Sequence, residues 1–141
     1  MYSGGAVGMA TLRRDGFASM SAKAKPGILT TRPVVFQGQY PFVNVDTQGK
    51  ELRVQILDEN GGVLPGFSEK EFVPIRGNQV KKAMKWENQP DLSSLAGKPV
   101  RFQFHLERGG LYAFWVSADQ SGASCGYVAA GSSDYPGPVD E

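Results

Sequence analysis

His105 is the chain's only histidine and lies in the segment Val100-Arg-Phe-Gln-Phe-His-Leu106. An imidazole can act as a base, a metal ligand or a proton carrier. Zinc chemistry needs partner ligands at set spacings, and no second histidine, spaced cysteine pair or HExxH segment is present. A serine–histidine–aspartate triad needs only one histidine. However, the sequence has no nucleophile elbow, and His105 alternates with apolar neighbours as a solvent-facing sheet residue does. Asp58 and Glu59 precede Asn60-Gly61-Gly62. Two acids in a loop can share acid–base work or hold calcium. The full calcium-loop spacing is missing, and Asp-Glu-Asn-Gly suits a solvated turn. Arg13-Arg14-Asp15-Gly16 has two readings. One is a guanidinium fork for a carboxylate or sugar hydroxyls; the favoured one is an arginine–aspartate pair that pins two strands.

Aromatic rings can stack on the C–H faces of sugars. Trp86, Trp115, Tyr40 and Tyr112 are the candidates, set against the commoner role of aromatics as core. Strand parity singles out Trp115. In Glu51–Leu57, Leu52, Val54 and Ile56 alternate with Arg53 and Gln55. In Val100–Leu106, the apolar residues alternate with Arg101, Gln103 and His105. A period of two buries one face and wets the other. Leu111–Val116 is apolar on both parities; placing Tyr112, Phe114 and Val116 in the core leaves Leu111, Ala113 and Trp115 on the polar side. The candidate sugar-binding set is therefore Trp115, Arg53, Gln55, Arg101, Gln103 and His105, with Trp86 and Tyr40 as further platforms. An ordinary polar sheet face, or one packed on a neighbouring domain, is the competing reading.

The elements that must position these residues are short strands. They are expected near 7–13, 16–22, 27–31, 33–37, 40–46, 51–58, 71–76, 79–86, 99–107 and 111–117. Turn signals such as Asp15-Gly16, Gln48-Gly49, Asn60-Gly61-Gly62, Arg76-Gly77-Asn78 and Gly109-Gly110 separate several of them. The last two strands, joined through Arg108-Gly109-Gly110, read as an antiparallel hairpin. Helical periodicity is nearly absent, save for one short turn near Pro90–Gly97 capped by Asp91 or Ser93. The expected fold is all-β, an antiparallel β-sandwich of jelly-roll or lectin-like type over residues 1–117. Residues 118–141, rich in Gly, Ala and Ser, read as a flexible tail.

The 141 residues suit one domain, and 18 glycines with 9 prolines suit a turn-rich β protein. Fifteen basic and 14 acidic residues are interspersed for a net charge of +1. Without a basic stripe, neither nucleic acid nor an anionic membrane surface is an expected partner. No apolar run reaches the roughly 20 residues of a membrane span. The first residues lack signal-peptide character, so the chain reads as cytoplasmic or as part of a longer secreted protein. Cys125, the single cysteine, leaves the compartment open.

A series of segments carries a resemblance. It comprises Gly8-Met-Ala-Thr-Leu-Arg-Arg-Asp-Gly-Phe-Ala-Ser19, Gly27-Ile-Leu-Thr-Thr-Arg-Pro33, Phe42-Val-Asn-Val-Asp46 and Glu51-Leu-Arg-Val-Gln-Ile-Leu-Asp58. Pro65-Gly-Phe-Ser68, Asp91-Leu-Ser-Ser-Leu-Ala-Gly-Lys-Pro-Val-Arg-Phe-Gln-Phe104 and Leu111-Tyr-Ala-Phe114 complete it. The series resembles the C-terminal β-sandwich module of bacterial glycoside-hydrolase-like proteins, where it follows a five-bladed or sialidase-like propeller. The resemblance spans residues 8–117 and implies a secreted or periplasmic origin. It also implies that the propeller, absent here, holds the catalytic carboxylates.

These readings give a non-catalytic carbohydrate-binding or accessory module. Its partners would be a polysaccharide or oligosaccharide and a catalytic domain of the parent protein. No cofactor is expected, and metal binding is left open. One alternative is a structural module whose polar face docks a partner domain. Another is a small hydrolase using Asp15, Asp46, Asp58 or Glu59.

Overall fold

Alternation does set the core. Leu52, Val54 and Ile56 are fully buried, and Val100, Phe102, Phe104 and Leu106 are each 5% exposed or less. In the computed structural model, which describes residues 5–126 and 139–140, these side chains line an all-β, antiparallel fold. Its strands are β1 (Met20–Ala22), β2 (Gly27–Thr30), β3 (Tyr40–Leu57), β4 (Ile75–Ala83), β5 (Arg101–Leu106) and β6 (Gly109–Ser117). The short turn Ser93–Leu95 is 3-10 helical, and the Ser93 amide donates to Asp91 Oδ1 at 2.8 Å.

All six strands belong to one sheet. The order is β1-β6-β3-β5-β2, and β4 pairs with the other edge of β3. β6 and β5 are not the expected hairpin. Both run antiparallel to β3, β6 along Tyr40–Asp46 and β5 along Leu52–Leu57, so they form one broken run. β1 and β2 repeat that break on the outer edge, pairing with β6 and β5 respectively.

The breaks align into a corner. Thr47–Lys50 of β3 stand opposite the single Gly77 of β4, opposite the β5–β6 junction and near the Lys23–Pro26 link. The Thr47 side chain, fully buried, fills the bulge and accepts the Gly77 amide at 2.9 Å. Phe104 and Phe114 measure the fold-over. Ten residues of straight strand would set them about 33 Å apart, yet their ring centroids are 5.0 Å apart. The sheet therefore folds on itself, nearly into a barrel, and its two halves face each other across the core, the usual work of bulges and bends at a corner.

Gly109 makes the corner possible. Its φ is +111°, and a Cβ there would lie 1.8 Å from the Asp46 carbonyl oxygen. A second irregularity lies just beyond it. Asn44 pairs with Ala113 but Val45 pairs with Leu111, which leaves Tyr112 as an extra residue. This bulge reverses the expected parity: Leu111 enters the core at 6% exposure, whereas Tyr112 turns outward beneath Arg13.

Other expected strands are shorter or missing. Segment 7–13 forms no strand, and 33–37 contributes only the Val34–Val100 bridge. Of the expected tail, residues 127–138 and 141 lie outside the described residues. Its described part packs: Ala123 is 8% exposed, Asp140 is 3% exposed, and the Cys125 amide donates to the Asp140 carbonyl at 2.9 Å.

Candidate functional site

The outer face of the β2–β5–β3 half carries five of the candidate residues. Register places Arg53 opposite His105, Gln55 opposite Gln103, and Arg101 opposite Leu57; Thr30 and Ile28 of β2 continue the Gln103 and His105 rows. The polar side chains form a connected ladder. Gln55 Nε2 donates to Gln103 Oε1 at 2.5 Å, and Gln103 Nε2 donates to Thr30 Oγ1 at 2.8 Å. His105 Nε2 lies 3.0 Å from Gln103 Oε1, and His105 Nδ1 lies 3.2 Å from Glu69 Oε2. Such cross-strand pairs hold side chains in fixed orientations on a rigid surface.

Two arginines frame the ladder. Arg53 donates to Glu51 Oε1 at 2.8 Å and to the Glu69 carbonyl at 3.1 Å. Arg76 meets the other Glu51 oxygen at 2.7 Å. The hydrogen bond from Arg53, helped by Arg76 and opposed by partial burial, holds the Glu51 carboxyl below its usual range. Arg101 donates to the Glu59 carbonyl at 3.2 Å and the Thr31 carbonyl at 3.4 Å. Ile28, 66% exposed, is the apolar member of this face.

The tryptophans stand elsewhere. Trp86 is core: 3% exposed, edge-on to Phe67 and Phe72, with Nε1 donating to the Val54 carbonyl at 3.2 Å. Trp115 does point outward, but on the other half of the folded sheet. It stacks on Phe42 at 5.8 Å, donates to the Gly122 carbonyl at 3.0 Å, and has the Arg14 guanidinium 5.9 Å above its ring. The corner between β5 and β6 therefore separates it from the polar ladder it was expected to join. Tyr40 is half-buried beside Pro41, Met84 and Pro90 in a small side cleft. Of the eight candidate residues, the fold brings together Arg53, Gln55, Arg101, Gln103 and His105.

Arg13 is the pin that its motif suggested, although its partners are amides and carbonyls rather than Asp15. It donates to Asn44 Oδ1 at 2.6 Å, to Asn78 Oδ1, and to the Val45 and Gln79 carbonyls, with Tyr112 4.5 Å below. Asn44, fully buried, returns a bond to the Arg14 carbonyl at 2.5 Å. Arg14 bridges Asp15 and Asp140. Burial pushes the Asp140 carboxyl up, but hydrogen bonds from Ser124 and Arg14 outweigh it and leave the group below its usual range.

The loop acids are occupied locally. Asp58 Oδ1 accepts the Asn60 and Gly62 amides, each at 2.8 Å, and Asp46 Oδ1 accepts the Gln48 amide at 3.0 Å. Sequence reasoning missed Thr30 and Glu69, which complete the ladder. Thr30 lay in an expected strand whose register was unknown, and Glu69 lies in a loop that carries no period.

Comparison of the chain with protein-family models, curated proteins and solved structures finds no match.

Proposed function

We propose that the chain is a non-catalytic carbohydrate-binding or accessory module of a secreted or periplasmic glycoside-hydrolase-like protein. The observation that carries this reading is the ordered ladder Thr30–Gln103–Gln55 with His105, framed by Arg53 and Arg101 on three paired strands. Planar amides and guanidinium groups held on strands form a pre-arranged, shallow set of donors and acceptors, which suits vicinal sugar hydroxyls. Lectin-like use of such a face needs no nucleophile and no metal. Ile28 supplies the apolar contact for a sugar ring that Trp115 was expected to give.

A glycan array on the purified chain tests the reading, followed by titration of any hit. Gln103→Ala and Arg101→Ala should each weaken binding about tenfold, a change of roughly 1.4 kcal/mol. Trp115→Ala should leave the affinity unchanged. A hit that is insensitive to Gln103→Ala and Arg101→Ala but lost with Trp115→Ala would move the site to the opposite face.

Docking to a partner domain is supported by a separate observation. The arm before β1 exposes Val7 at 104%, Met9 at 91% and Phe17 at 87%, with no cover among the described residues. Such an apolar run suits a protein surface better than a sugar. Replacing all three by serine should then weaken association with the parent's catalytic domain and leave glycan binding intact.

A further inference from the structure

At the corner of the folded sheet lies a cleft of about 760 Å³, a volume within the usual range of small-ligand sites. The irregularities that fold the sheet build it. The β1–β2 link supplies Lys23, the β3 bulge supplies Lys50, and the β5–β6 junction supplies Arg108. Ser19, Ser21 and Tyr112 add hydroxyls, and the backbone at Gly109 and Gly110 leaves the floor low.

Its lining is net basic. Three cations face one carboxylate, Glu107, on a chain whose net charge is only +1. Arg13, Arg53, Arg76 and Arg101 all donate to carboxylates, amides or carbonyls. Among the described residues, Lys23, Lys50 and Arg108 make no ion pair and no side-chain hydrogen bond. Three uncommitted cations converging on one concave surface raise the local concentration of anions.

We propose that this cleft binds an anionic saccharide, one bearing carboxylate or sulfate groups. Lys23, Lys50 and Arg108 would meet its charges, and Ser19, Ser21 and Tyr112 its hydroxyls. The assignment to a saccharide rests on the carbohydrate reading; the anion preference rests on the three cations alone. The cleft is separate from the ladder of Gln55, Gln103 and His105, none of which lines it.

The test is titration of the full chain with oligogalacturonate, a sulfated oligosaccharide, a neutral oligosaccharide and citrate. The double variant Lys50→Ala/Arg108→Ala is compared with Gln103→Ala. Both cleft residues are exposed, so the double variant should melt as the parent does. Expected is binding of one acidic oligosaccharide, with the carboxylated and sulfated arms naming the group recognised. That binding should fall tenfold or more in the double variant, persist in Gln103→Ala, and weaken as salt shortens the screening length below about 10 Å. Neutral-sugar binding lost in Gln103→Ala, with no acidic-sugar binding, would overturn the cleft assignment and spare the carbohydrate reading. Citrate binding as tightly as the sugar would overturn the saccharide assignment. Absence of binding to any oligosaccharide would remove both readings.

Discussion

The two outer faces of the folded sheet use arginine in opposite ways. On the β1–β6–β3–β4 half, Arg13 reaches a fully buried asparagine and two backbone carbonyls, and the chain arm that carries it covers the strands. On the β2–β5–β3 half, Arg53 and Arg101 are half-buried along the surface, bonded to the Glu51 carboxylate and to loop carbonyls of Glu59 and Glu69. A guanidinium bonded to groups that have lost water acts as structure, because breaking it strands buried polar atoms. One bonded to carbonyls at the surface can exchange those partners for water or a ligand at small cost. Arginine type therefore does not distinguish a pin from a binding group; the burial of its partners does.

The corner can be broken first. Gly109→Ala would place a methyl group against the Asp46 carbonyl and force φ +111° on a residue with a Cβ. We expect a loss of about 3 kcal/mol or more in chemical denaturation, with both faces affected, because strain and a backbone clash add. A variant as stable as the parent would mean that the corner relaxes freely and the two faces are not fixed by it.

The contrast between the faces is read directly from two alanine variants. Arg13→Ala leaves Asn44 Oδ1 and two carbonyls without their donor, and should cost about 2–3 kcal/mol. Arg101→Ala should cost about 0.5 kcal/mol or less, as surface changes do. Equal losses would erase the distinction.

The smallest effect is a pH dependence on the open face. The Glu51 carboxyl titrates below its ordinary 4.5 in the folded chain, chiefly through the Arg53 hydrogen bond. Its stabilising contribution is therefore present above the unfolded-state value and is lost as pH falls through the folded value. Glu51→Gln should flatten the acid side of the stability curve, by less than about 1 kcal/mol, because water screens the exposed Arg76 and the half-exposed Arg53. An unchanged acid limb would show that Arg53 and Arg76 are held without the carboxylate.

Residue alternation alone settled the buried set Leu52, Val54, Ile56, Val100, Phe102, Phe104 and Leu106, and with it the polar set Arg53, Gln55, Arg101, Gln103 and His105. A strand's side chains point to alternate faces whatever the strand pairs with, so that pattern is local and can be read without the fold. The Arg13 pin was half legible: the motif marked a clamp, but its true partners Asn44 and Asn78 are 31 and 65 residues away. Three things were decided by tertiary structure alone. β5 and β6 became one broken run rather than a hairpin, the bulge at Tyr112 exchanged Leu111 for Tyr112 in the core, and the corner carried Trp115 away from the ladder. The cleft of Lys23, Lys50 and Arg108 has the same origin, since three breaks distant in sequence meet there: the β1–β2 link, the β3 bulge and the β5–β6 junction. Register shifts and bends arise from hydrogen bonding between strands far apart in the chain, and one extra residue on a strand reverses every side chain beyond it.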